Sequence, residues 1–139
     1  MPFPDNCLRG ISVPDQILDD GTVSTAAFNF SENVRDDGFK ELSIVWEDDE
    51  KASGVLLDQK KDTGEFQFKV GYAFVPRNEI DHLIKQPSVN NILNYERREL
   101  EDNPYHGNIL VHGSTSRHMI RKIQAYLALF VSNVVRREE

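Results

Sequence analysis

Asn103-Pro104-Tyr105-His106-Gly107-Asn108-Ile109-Leu110-Val111-His112-Gly113-Ser114-Thr115-Ser116-Arg117-His118 is where the chain changes from the period of a strand to the period of a helix. Asn103-Pro104 turns the chain, and Gly107 to His112 reads as a strand. Ser114 or Ser116 then offers a hydroxyl to an unpaired amide and opens a helix. That helix is expected from Thr115 to Val135, because Ile120, Ile123, Leu127, Phe130, Val131 and Val134 recur at steps of three and four. Arg136 and Arg137 would sit at its negative end.

Upstream, Cys7 to Ser12 alternates as a short strand, and Val13 to Thr22 is a turn-rich connection. Ala26 to Phe28 with Phe30 reads as a short helix or an irregular core segment. Glu41 to Trp46 is a strand with Leu42, Ile44 and Trp46 on one face. Asp48 or Asp49 can cap a helix reaching about Asp58, weakened by Gly54. After a turn at Lys61 to Gly64, the alternation of Phe66, Phe68, Val70 and Tyr72, continued by Phe74, predicts a strand from Glu65 to Val75. Pro76 ends it. Arg77 to Ile84 is a helix, Pro87-Ser88 breaks it, and Asn91 to Arg98 is a further strand. The expected fold is α+β over 1–139 as a single domain. An antiparallel or mixed sheet of about five strands carries a long C-terminal helix on one face.

Composition limits the function. The 139 residues are 39% apolar and 28% charged, enough for one core under a polar surface. The net charge of −7 argues against a duplex-binding role, which needs clustered Lys and Arg. The acidic runs Asp19-Asp20, Asp36-Asp37 and Asp48-Asp49-Glu50 read as solvated turns and helix starts, or as a docking surface for a basic partner. Cys7 is the only cysteine, so the expected setting is a reducing cytoplasm. The N-terminus lacks a basic segment followed by an apolar run, and the longest apolar run, Tyr126 to Val131, is far short of a membrane span.

The candidate chemistry centres on histidine. His106 lies between a rigid Asn-Pro turn and Gly107, which lets backbone or a ligand approach closely. It can act as a general base, or it can tie the turn to the sheet. His106, His112 and His118 together suggest a metal, but their spacing matches no ligand motif, so none is assigned. Arg9-Gly10 leaves room beside a guanidinium that can pair with phosphate or carboxylate, or bridge to an acid of the surface. Ser24 to Phe28 is a second candidate lining segment. Ser114 and Ser116 at a helix start suit an anion or simple capping. Asn103, Tyr105 and Asn108 complete the candidate contact loop. Trp46, Phe66, Phe68 and Tyr72 are expected in the core. Cys7 is either a nucleophile beside a histidine or a small buried residue.

Two resemblances follow. Leu8 to Ile11 (Leu-Arg-Gly-Ile), Ala26 to Phe28, Leu42 to Trp46, Val75 to Ile80 and Asn103 to Ile109 (Asn-Pro-Tyr-His-Gly-Asn-Ile) resemble a group of small uncharacterised bacterial proteins over most of the chain. That resemblance implies context but no mechanism. Arg9-Gly10 and Ser114-Thr115-Ser116 are also similar to elements of the mono-ADP-ribosyltransferases, whose Arg-Gly strand grips a dinucleotide and whose Ser-Thr-Ser opens a later strand. Here the second element is expected to open a helix. The family's two glutamates are separated by one residue, whereas Glu138 and Glu139 are adjacent. Ser24-Thr25 with Glu41 or Glu65 is the substitute set.

Two functions remain open. The first is a protein-interaction or accessory domain of a bacterial or phage system, with its acidic surface and the Asn103–Asn108 loop as the contact. The second is a small nucleotide- or dinucleotide-using transferase with Arg9 on phosphate and His106 as acid or base. The cofactor is unspecified, a protein partner is expected, and the amphipathic helix leaves a homodimer open.

Overall fold

The structure is a computed structural model that describes residues 2–137. Six strands, β1 (Asn6–Ile11), β2 (Phe39–Trp46), β3 (Gly71–Pro76), β4 (Leu93–Arg97), β5 (His106–His112) and β6 (Asn133–Arg136), form one sheet in the order β4-β5-β2-β1-β3-β6. Every pairing is antiparallel. Helices α1 (Ala52–Asp58), α2 (Arg77–Ile84) and α3 (Arg117–Phe130) complete the fold, with a 3₁₀ helix at Thr25–Phe28. No helix among the described residues is long and apolar enough to cross a membrane.

The period of two in each strand sorts side chains onto two faces. Cys7, Ile11, Leu42, Ile44, Trp46, Ala73, Val75, Ile109 and Val111 share the first face, and they pack with Phe28, Ile80, Leu83, Ile123 and Leu127. That face is closed by α2, α3 and the 3₁₀ helix. On the second face, Leu8, Val45 and Tyr72 pack with Ala52 and Leu56 of α1. Burying each large apolar side chain contributes about 1.5–3 kcal/mol, so the larger first-face cluster dominates stability. The smaller α1 cluster covers the β1–β3 side of the second face. The β2–β5–β4 side of that face remains open and polar.

The sheet has six strands rather than about five, and the C-terminal helix is 14 residues rather than the long one expected. Ser116 is its cap, accepting from Met119 N at 3.1 Å. The chain leaves the helix after Phe130, and Val134-Val135 enters β6 against β3. Val131 and Val134 fit a helical stripe equally well by spacing. The β-branched pair next to an unpaired strand edge favours the ladder. Arg137 therefore does not sit at the end of α3: it donates to Leu57 O, in the last turn of α1, at 2.7 Å and to Phe68 O at 3.0 Å, and it lies over the Phe66 ring.

The strand expected from Glu65 is confined to Gly71–Pro76. Gly71 has a φ of 149°, and a Cβ there would collide with Val135 O, so the ladder begins where β6 comes close. Phe66 accordingly lies 38% exposed instead of in the core, and Phe68 folds over Gly10.

Candidate functional site

The open half of the second face is built from outward residues of three strands. Ser43 of β2 pairs with Asn108 of β5, which pairs with Glu96 of β4, while Glu41 and His106 lie on the same face. Two turns raise a rim around them. In the first, Arg35 N donates to Phe39 O at 2.8 Å and Gly38, at φ 92°, donates back to Arg35 O at 2.9 Å, which carries Arg35 over the strands. In the second, Leu100 and Asn103 exchange backbone hydrogen bonds at 3.0 Å. Asn103 Oδ1 accepts from Tyr105 N at 3.1 Å and so sets the chain up to enter β5. The result is a shallow depression of about 700 Å³ lined by Arg35, Asp36, Asp37, Glu41, Ser43, Arg98, Leu100, His106 and Asn108.

Its electrostatics revolve around Arg35. The guanidinium reaches Asp37 at 2.6 Å, Glu96 at 2.7 Å and Glu41 at 3.2 Å, and Arg98 adds a longer contact to Glu96 at 3.7 Å. Burial pushes the Glu96 carboxyl up, but hydrogen bonds from Arg35 and Asn108 outweigh it and hold it below the ordinary range. Asp37 is likewise lowered, with Arg35 and Phe39 N overcoming its desolvation. The hydrogen bond to Glu96 raises Arg35, which therefore stays charged throughout.

Two groups bear on chemistry. His106 Nδ1 lies 2.8 Å from Arg98 O; a carbonyl only accepts, so Nδ1 donates, and Nε2 has no hydrogen-bond partner among the described residues. Asn108 is 1% exposed, donates Nδ2 to Glu96 at 2.8 Å, and leaves Oδ1 buried without a donor. An unsatisfied buried acceptor costs roughly 1–3 kcal/mol.

The structure disperses the other candidates. Arg9 lies on the first face, where β1 pairs with β2 only at Cys7 and Leu8. In the split beyond, its Nε donates to Ala27 O and its Nη1 to Ser43 O, each at 2.7 Å. Among the described residues no carboxylate pairs with it, and burial pulls it down to about 10. Ser24 serves as the cap of the 3₁₀ helix, accepting from Ala26 N. Asn103 is buried in its turn, and Tyr105 Oη donates to Asp49 at 2.9 Å on the α1 side. Ser114 Oγ contacts His112 Nδ1 at 2.7 Å, at the far end of β5 and six residues, roughly 20 Å, from His106. Ser116 is the α3 cap there. His106 and His112 share a face but not a site, and the described residues hold no group of three His, Cys, Asp or Glu side chains placed for a metal ion. Cys7 is fully buried, and burial pushes its thiol up to about 12. Glu138 and Glu139 lie outside the described residues.

The Arg35, Glu41, Glu96 and Arg98 network escapes a reading of the sequence alone. Glu41 and Glu96 occupy outward strand positions, which normally meet water, and no period places a loop arginine over them. The available signal is that charged outward positions recur on β2 and β4, the two strands that flank β5. No protein-family model, no curated protein and no solved structure matches the chain.

Proposed function

We propose that the chain is a small protein-interaction or accessory domain and that its contact surface is the depression over β2, β5 and β4 with the rim at Arg98 to His106. The observation that carries this reading is the division of labour between the two arginines. Arg9, the group a transferase needs for phosphate, is spent on two backbone carbonyls. The charge at the depression lies in the Arg35–Glu96–Arg98 network instead, with Arg98 its exposed member. A prearranged ion-pair surface suits specificity and steering between macromolecules. Leu100, 47% exposed on the rim, adds an apolar contact. His106 with a free Nε2 is a hydrogen-bonding group of the same surface.

The test compares affinity capture by the natural chain, by Leu100→Asp, and by Leu129→Asp on α3 as a distant control. Partners lost with the first variant and retained with the second support the reading. Capture that is indifferent to Leu100→Asp, or thermal stabilisation by a dinucleotide that Arg9→Ala abolishes, removes it.

A further inference from the structure

We infer that a second depression, where β6 ends beside segment 12–14, binds the phosphate group of a small phosphate ester. It measures about 630 Å³ and lies between that segment, the loop ahead of β3 and the last residues of β6. Lys61, Lys69, Arg136 and Arg137 line it, and among the described residues no carboxylate does. In a chain of net charge −7, four of the 16 Lys and Arg side chains thus meet at one place. Among the described residues the one carboxylate paired with any of them is Glu65, on Lys69 at 2.6 Å, so the local excess is three positive charges. Glu65 registers that field: Lys69 first, then Lys61, hold its carboxyl below the ordinary carboxylate range.

Arg137 supplies the second, independent indication. A surface lysine swings freely into water, but this guanidinium is fixed. Its Nη2 donates to Leu57 O at 2.7 Å and Phe68 O at 3.0 Å, and the group lies 4.0 Å from the centre of the Phe66 ring. Nη1 has no partner among the described residues and, unlike Nε, is not closed off from solvent. A fork held in place with one arm open suits a phosphate oxygen, which accepts charge-assisted hydrogen bonds from guanidinium. A cleft lined by one sign of charge also concentrates counter-ions. The excess of three charges exceeds what a single carboxylate neutralises and fits a dianion. Val13, Pro14 and Val70 supply an apolar wall for the rest of the ester, and Val13 is 48% exposed without it. The volume is that of a small-molecule site rather than of a bare ion.

The probe is phenyl phosphate, titrated into ¹⁵N-labelled protein at constant ionic strength, with neutral phenol as control. Saturable shifts are expected at the Val13, Val70, Arg136 and Arg137 backbone amides, with phenol failing to produce them. Lys61→Gln with Arg136→Gln, both exposed, weakens binding about five- to tenfold, the value of two screened ion pairs. Glu65→Gln tightens it about twofold by releasing Lys69. Arg117→Gln with Arg121→Gln, which line a different depression at the start of α3, leaves it unchanged. The site stands apart from the interaction reading above, so Leu100→Asp also leaves these shifts in place. Shifts scattered over the surface, equal shifts with phenol, or undiminished binding by the Lys61→Gln, Arg136→Gln protein overturn the inference. Binding to phosphatidylglycerol vesicles with no response to phenyl phosphate overturns it too, by assigning the patch to a membrane surface. The amide spectrum of each variant verifies its fold.

Discussion

Gly107→Ala tests the core beneath the depression. Gly107 belongs to the Asn-Pro-Tyr-His-Gly-Asn stretch, and the group that approaches it is the indole of Trp46. A Cβ there would overlap Trp46 Nε1 and Glu96 O and lie 2.7 Å from Trp46 Cδ1. Glu96 O belongs to the backbone of β4, so the indole has to yield. Yielding breaks the Trp46 Nε1 to Glu96 O hydrogen bond of 3.0 Å, which pins β4 to the core. The lost bond contributes about 1 kcal/mol and the overpacking about 1–3 kcal/mol, for a total of roughly 2–4 kcal/mol. With an unfolding entropy of about 2.1 cal/mol/K per residue, that lowers Tm by roughly 7–14 °C. Guanidinium titration followed by fluorescence suits the purpose, because Trp46 is the single tryptophan and is fully buried. Gly54→Ala is the control: nothing lies within 4 Å of its Cβ and it sits in α1, so stability should rise by up to about 1 kcal/mol. A Gly107→Ala protein within about 0.5 kcal/mol of the natural chain, with unchanged emission, refutes this packing.

Arg9→Ala leaves Ala27 O and Ser43 O without their charged donor, partly offset by relief of a buried charge, and should cost about 2 kcal/mol by thermal denaturation. Unchanged stability would show that Arg9 does not hold the β1–β2 split. Ser116→Ala removes the acceptor for Met119 N and should lower stability by about 1 kcal/mol, read from denaturant midpoints. Glu96 and Asp37 titrate lower in the folded chain than their ordinary values of 4.5 and 3.8. Their stabilisation is therefore complete above that range and lost as pH falls through the lower folded values. Glu96→Gln should make the decline below about pH 4.5 shallower, which a pH series of urea midpoints measures.

Where local pattern and tertiary demand agree, the sequence is legible. Arg77–Ile84 has the bounds its spacing predicts, and the Leu42, Ile44, Trp46 alternation lies in the core. Legibility fails where two periods fit the same letters. Val131 and Val134 continue the α3 stripe, but the β3 edge draws the chain into β6. Phe66 and Phe68 extend an alternation that Gly71 interrupts, and the two rings serve as covers for Arg137 and Gly10. The site divides similarly. His106 and Asn108 stand out because turn and glycine signals flank them. Arg35 does not, because its meaning comes from Glu96 of β4, 61 residues away, which the fold brings beside the nearer Asp37 and Glu41. Arg9 was conspicuous, yet its role depends on β1 and β2 parting, which no local pattern announces.

Photo-cross-linking from position 100, on the rim, and from position 129, on α3, in cells that naturally make this chain tests the central claim most directly. The account predicts a discrete cross-linked partner from position 100 and none from position 129. A partner captured only from position 129 would contradict it.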